Sequence, residues 1–129
     1  MSNPVWIDVT ALRLLHGESL AEHGGLSGMR DEGLLMSALT RPQNLFAYEG
    51  ITDIPRLAAA YAYGITKDHP FADGNKRAAF LSIGLFLALN SYSLQVEQQE
   101  AVKTVLALAA GDLDESELTA WIAKYTVGL

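Results

Sequence analysis

An all-α chain, a compact helical bundle around one buried helix, is expected from three features. Apolar residues recur at helical spacing in most segments, one segment is apolar on every side, and strand signals are short and isolated. The chain has 129 residues, half of them apolar, and a slightly positive mean hydropathy. That length gives one core and no room for a second, so residues 1–129 read as a single domain. The apolar content offsets the entropy of ordering the chain, which excludes general disorder.

Taken in order, the first helix covers about residues 11 to 23 and ends at Gly24 and Gly25, where a left-handed residue can close it. After the turn-rich GGLSGMRD a second helix starts with Asp31 as N-cap and is disturbed at Pro42, which lacks a backbone donor. Residues 43–53 are expected to form an irregular, flap-like connection. Ile54, Leu57, Ala58, Tyr61 and Ile65 fall on one helical face. That helix should stop near Asp68, because Pro70 biases His69 away from helical dihedrals. From Gly74 to Asn90, Phe80, Leu81, Ile83, Leu85, Phe86, Leu87 and Leu89 surround the axis, which places this helix in the middle of the bundle. Val102, Val105, Leu106 and Ala109 make a further stripe, and Leu118, Trp121, Ile122 and Tyr125 make the last, with Asp114 and Glu117 as its N-cap and N3 pair. VWI at 5–7 and SLQV at 93–96 are the strand signals, suited to pairing or to a brief extension.

Charge and composition exclude several functions. Nine Lys plus Arg against 15 Asp plus Glu give a net charge of -6, which repels a phosphate backbone at long range, so no direct contact with nucleic acid is expected. The absence of cysteine excludes disulfides, thiolate metal sites and thiol nucleophiles. The amino terminus, MSNPVWIDVT, has neither the basic region nor the apolar stretch of a signal peptide. The longest nearly apolar run, Ala78 to Leu89, falls short of the roughly 20 residues of a spanning helix. A cytoplasmic protein without a membrane partner is the expectation.

Reactive groups concentrate in His69-Pro70-Phe71-Ala72-Asp73-Gly74-Asn75-Lys76-Arg77, immediately ahead of the buried helix. Phe71 is the one large apolar residue of this loop and serves as its anchor to the core. The first amides of a helix have no internal partners and its dipole favours an anion there. Gly74 lets a ligand approach the backbone, Asn75 offers a side-chain donor, and Lys76 and Arg77 add positive charge suited to phosphoryl oxygens. Asp73 is a carboxylate of the kind that holds Mg²⁺ together with substrate phosphates. His69 has the side chain whose ordinary titration range suits a general base at neutral pH. The candidate catalytic set is His69, Lys76 and Arg77, with Gly74, Asn75, Lys76 and Arg77 as a phosphate cradle and Asp73 as the metal ligand.

Competing readings are simpler. The stretch also reads as a polar loop capping a buried helix, with His69 hydrogen-bonded and Lys76 and Arg77 solvated. His69 and Asp73, four apart, could be half of a metal site on a helix, but Pro70 opposes a continuous helix there. His16 and His23 read as satisfied or solvent-facing, Trp6, Tyr61, Trp121 and Tyr125 as core or groove wall, and Met29 and Arg30 as structural parts of the glycine-rich turn.

HPFADGNKR resembles the signature of the Fic/Doc family, which runs His, Pro, Phe, any residue, Asp or Glu, Gly, Asn, Gly or Lys, Arg. GGLSGMRD, AYEGITD and the chain length extend the likeness over most of the sequence. The resemblance implies the small helical Fic/Doc fold, with the loop between two helices, and transfer of a phosphate-containing group to a protein hydroxyl. It implies His69 as base, Asp73 as Mg²⁺ ligand, and Gly74, Asn75 and Arg77 as phosphate binders. Lys76 in place of a second Gly, and Phe80 in place of a further Arg, are features of the Doc branch, whereas Gly74 and Pro70 are closer to general Fic. The Doc branch implies a toxin that moves the terminal phosphoryl group of ATP to a translation protein, elongation factor Tu. It also implies a cognate antitoxin whose helical tail fills a hydrophobic groove. The alternatives are a Fic-type adenylyltransferase and an inactive phosphate-binding module. The inhibitory helix of many Fic enzymes has no good match, since Ser93 to Glu97 is followed by Gln98.

Overall fold

The computed structural model describes residues 3–129 and contains six helices among them. They are α1 (Val9–His23), α2 (Glu32–Glu49), α3 (Ile54–Asp68), α4 (Asn75–Leu89), α5 (Gln98–Ala110) and α6 (Glu115–Tyr125). Two short strands, β1 (Tyr92–Leu94) and β2 (Thr126–Gly128), complete the chain. Aspartates start four of the helices. Asp8, Asp31, Asp53 and Asp114 each accept a hydrogen bond from the amide three residues on, and Glu117 returns the bond to Asp114 as a complete capping box.

Two expectations about elements are corrected. Helix α2 does not break at Pro42 but runs on to Glu49, so most of residues 43–53 is helix and the connection shrinks to 50–53. The proline removes one backbone bond, yet its ring is buried on the same face as Leu35, Ala38, Leu39 and Leu45, and that packing outweighs the local loss. Gly50, left-handed at φ +67°, then closes the helix with its amide on the Leu45 carbonyl. The weak strand signals do not pair with each other either. β1 pairs antiparallel with β2, Ser93 opposite Val127, while the 5–7 segment is held by side chains. Asn90 bonds both the amide and the carbonyl of Val5, and the Ile7 amide donates to the Tyr61 hydroxyl at 3.1 Å.

Helices α3 and α4 form the centre. Leu57 to Ala62 are buried without interruption, and Gly64 lets α2 come close enough that an added Cβ would lie 3.3 Å from the Ala38 backbone. Phe86 of α4 sits between Tyr61 and Trp6, at 5.1 and 5.9 Å between ring centroids. Burial pushes the Tyr61 phenol up to about 12, against the opposing effect of the Ile7 amide. A half-buried junction joins three helices at the other side. Both nitrogens of the Arg41 fork meet the Glu115 carboxylate at 2.6 Å, and Arg56 adds a third bond of 2.6 Å. Burial raises the Glu115 pKa, but the bonds and charge of Arg41, then those of Arg56, outweigh it and leave the carboxyl below its ordinary range. Among the described residues no helix is long and apolar enough to cross a membrane.

Candidate active site

The reactive stretch lies between the end of α3 and the start of α4, as its sequence suggests. Helix α3 stops at Asp68, but His69 is left-handed at φ +49° and ψ +56°, not extended. A side chain with a Cβ is strained there by about 1 kcal/mol or more, so contacts must hold it. Its imidazole is exposed and makes no hydrogen bond among the described residues. Phe71 is 2% exposed and anchors the loop as expected.

Gly74 takes the N-cap position of α4 in the left-handed region, at φ +72°, and supplies no capping side chain. The first intrahelical bond runs from Ala78 to Gly74, which leaves the amides of Asn75, Lys76 and Arg77 without partners among the described residues. Lys76 and Arg77 form no ion pair there either. Three open amides and two unpaired cations thus share the first turn of the central helix, an arrangement that attracts an anion. The Asn75 side chain is engaged within the loop itself. Its Oδ1 accepts from the Phe71 amide at 2.9 Å and its Nδ2 donates to the Phe71 carbonyl at 3.0 Å, so it locks the loop around the anchor.

Asp73 is exposed, and its two carboxylate oxygens accept from the amides of Leu26, at 3.1 Å, and Gly74, at 2.8 Å. Those two bonds, helped by the charge of Arg77, hold the carboxyl below its ordinary range, so it is ionised at neutral pH. Each oxygen keeps a lone pair. No group of three His, Cys, Asp or Glu that could cage a metal occurs among the described residues. A lone carboxylate beside open amides suits Mg²⁺ delivered with phosphates, since that ion takes one or two protein carboxylates and fills its shell with phosphate and water.

Three residues that sequence reading left as background shape this loop, two by their side chains and one by its backbone. His16 of α1 is 4% exposed, stacks on Phe71 with ring centroids 3.9 Å apart, and places Nε2 2.8 Å from the Asp73 carbonyl. It is a satisfied histidine, as expected, but the group it satisfies belongs to the loop; Nε2 donates, because a carbonyl only accepts. Arg30 donates to the carbonyls of Asp68 and His69, each at 2.6 Å. Met29 pairs with Phe71 in an isolated antiparallel bridge, and the Ala72 amide donates to the Gly28 carbonyl. The glycine-rich turn is thus a strap across the loop. Gly25 is the tightest point, where a Cβ would lie 3.0 Å from the Asp73 carboxylate and 2.8 Å from Leu20, with φ at +129°. His23, by contrast, is exposed and lies in a groove of about 610 Å³. Lys76 and Arg77 border that groove, and Phe80, Val102, Val105 and Leu106 continue it over α4 and α5.

Fold and site together define a class: a helical protein whose central helix opens on an anion-attracting loop with one exposed imidazole and one carboxylate held by backbone amides. The chain belongs to the Fic/DOC family, whose family model matches residues 6–87. It is similar to the protein kinase doc of Escherichia phage P1, with 34% identity over 104 residues, 81% of this chain and 82% of that protein. It is also similar to the toxin Doc of Mycolicibacterium smegmatis strain ATCC 700084, with 34% identity over 114 residues, 81% of this chain and 86% of that one.

Proposed function

We propose that this protein is a Doc-like toxin that transfers the γ-phosphoryl group of ATP to a Ser or Thr hydroxyl of a translation protein, with elongation factor Tu as the candidate target. The observation that carries the reading is the open start of α4, where three unpartnered amides and the cations Lys76 and Arg77 follow, within one short loop, the exposed imidazole of His69. The kinase name of the phage relative supports phosphoryl transfer over other group transfers. In the step proposed, the His69 imidazole takes the proton of the target hydroxyl, whose oxygen bonds to the γ-phosphorus. The bond from that phosphorus to the β–γ bridging oxygen breaks and ADP leaves. Lys76, Arg77 and the open amides stabilise the charge on the transferring group. Asp73 would hold Mg²⁺, which neutralises phosphate oxygens.

The groove beside the cations has an apolar wall in which Val102 and Leu106 are about half exposed. Its position suits the helical tail of a cognate antitoxin, which would cover Lys76 and Arg77 as it bound. Incubating the protein and cell extract with ATP labelled on either the α- or the γ-phosphorus tests the reaction. Label from γ alone is expected. Label from α identifies an adenylyltransferase, and ATP binding without label from either identifies an inactive module. His69→Ala should reduce transfer by about 10²–10⁴-fold with unchanged circular dichroism. Transfer at the parental rate would remove His69 from the base role.

A further inference from the structure

His69 occupies a conformation that its own chemistry opposes twice. It has a Cβ at positive φ, and the proline that follows restricts it further. Its amide bond to the Ile65 carbonyl, at 3.1 Å, fixes only one side. The other contacts come from the strap. Arg30 Nη2 donates to the Asp68 carbonyl and Nε to the His69 carbonyl, both at 2.6 Å, and the amides of Arg30 and Asp31 donate to the Pro70 carbonyl at 2.8 and 3.0 Å.

The geometry of these bonds is specific. The Asp68 carbonyl belongs to the peptide plane before the His69 Cα, and the His69 carbonyl belongs to the plane after it. The relative orientation of those two planes is φ and ψ of His69. Nε and Nη2 lie on one edge of a rigid planar guanidinium, so a single side chain clamps both planes at once. The direction of the His69 Cα–Cβ bond, and with it the place from which the imidazole works, follows from that clamp. Arg30 and Asp68 stand 38 residues apart, so the contact exists only in the folded chain.

We infer that Arg30 is a positioning residue for His69: its forked guanidinium holds the left-handed backbone that aims the base. This rests on the reading of His69 as the base. A simpler role, a cation at the carboxyl end of α3, would be met equally by lysine. The distinguishing variants are therefore Arg30→Lys, which keeps charge but has no fork, and Arg30→Gln, which lacks both. Three measurements are needed on the full chain: the backbone coupling constant and carbon shifts of His69 by NMR, kcat and KM for ATP, and the melting temperature.

If the inference holds, both variants shift the His69 signals away from left-handed values and lower kcat by about tenfold to a hundredfold at nearly constant KM. Lysine then fails to rescue. Left-handed His69 signals in both variants overturn the inference, as does parental kcat in Arg30→Lys. If the parent protein transfers no group at all, the base reading fails by itself, and the His69 signals still decide whether Arg30 sets the backbone.

Discussion

Two pairs of cations in this protein meet opposite surroundings. Arg41 and Arg56 close on one carboxylate, Glu115, and the three charges knit α2, α3 and α6. Among the described residues Lys76 and Arg77 have no carboxylate partner within ion-pair distance, although Asp73 is close in sequence; that carboxylate is held by backbone amides instead. At the first site, positive charge is neutralised within the protein and its effect is on stability. At the second, the loop is fixed by groups that leave the cations free, so their field is available to a ligand. The difference lies less in residue type than in what the neighbouring side chains are bonded to.

Substitutions can separate the two. Arg77→Ala should have the larger effect of the two on transfer, about 10²–10³-fold, with little loss of melting temperature, because among the described residues the side chain makes no ion pair and acts on the fold only through its field at Asp73. A fall in stability as large as the fall in rate would show that the two cation pairs are alike. Glu115→Gln should do the reverse. It leaves two half-buried guanidinium groups short of charge and lowers stability by about 2 kcal/mol, less than for a fully buried pair because Arg41 is 36% exposed. Transfer per folded molecule should not change, and thermal melts with rate measurements on the same sample check both.

Acid provides a finer comparison at the same carboxylate. The Glu115 pKa is lower in the folded chain than in the unfolded one, so its contribution is complete above the unfolded value, about 4.3, and disappears as pH falls through the folded value. The stability gap between parent and Glu115→Gln should therefore be flat at neutral pH and close below about pH 4. A gap constant down to pH 3 would locate the effect elsewhere. The smallest change expected is in Asn75→Ala, which loses two bonds to the Phe71 backbone and should cost about 1–2 kcal/mol, read by denaturant titration. If transfer falls well beyond the loss of folded protein, the loop needs that lock for its chemistry as well.

What could be read from the sequence follows from where each signal resides. The all-α architecture was readable because its helices carry local evidence: stripes for α3, α5 and α6, and an all-round apolar surface for α4. The reactive loop was readable because its residues are contiguous. The continuation of α2 was not, since Pro42 carries a local penalty and the compensating face is known only once α3 packs on it. β2 escaped because TVG is too short to show alternation. The roles of Arg30 and His16 escaped for another reason: their partners are main-chain carbonyls 38 to 57 residues away, which any amino acid would supply.

The amide of Leu26 steadies the Asp73 carboxylate, while the Leu26 side chain is 71% exposed. Evolution can therefore rewrite that position almost at will without disturbing the acidic ligand. Proline alone is barred outright, for want of a hydrogen to give, so the link can persist among relatives that share no letter there.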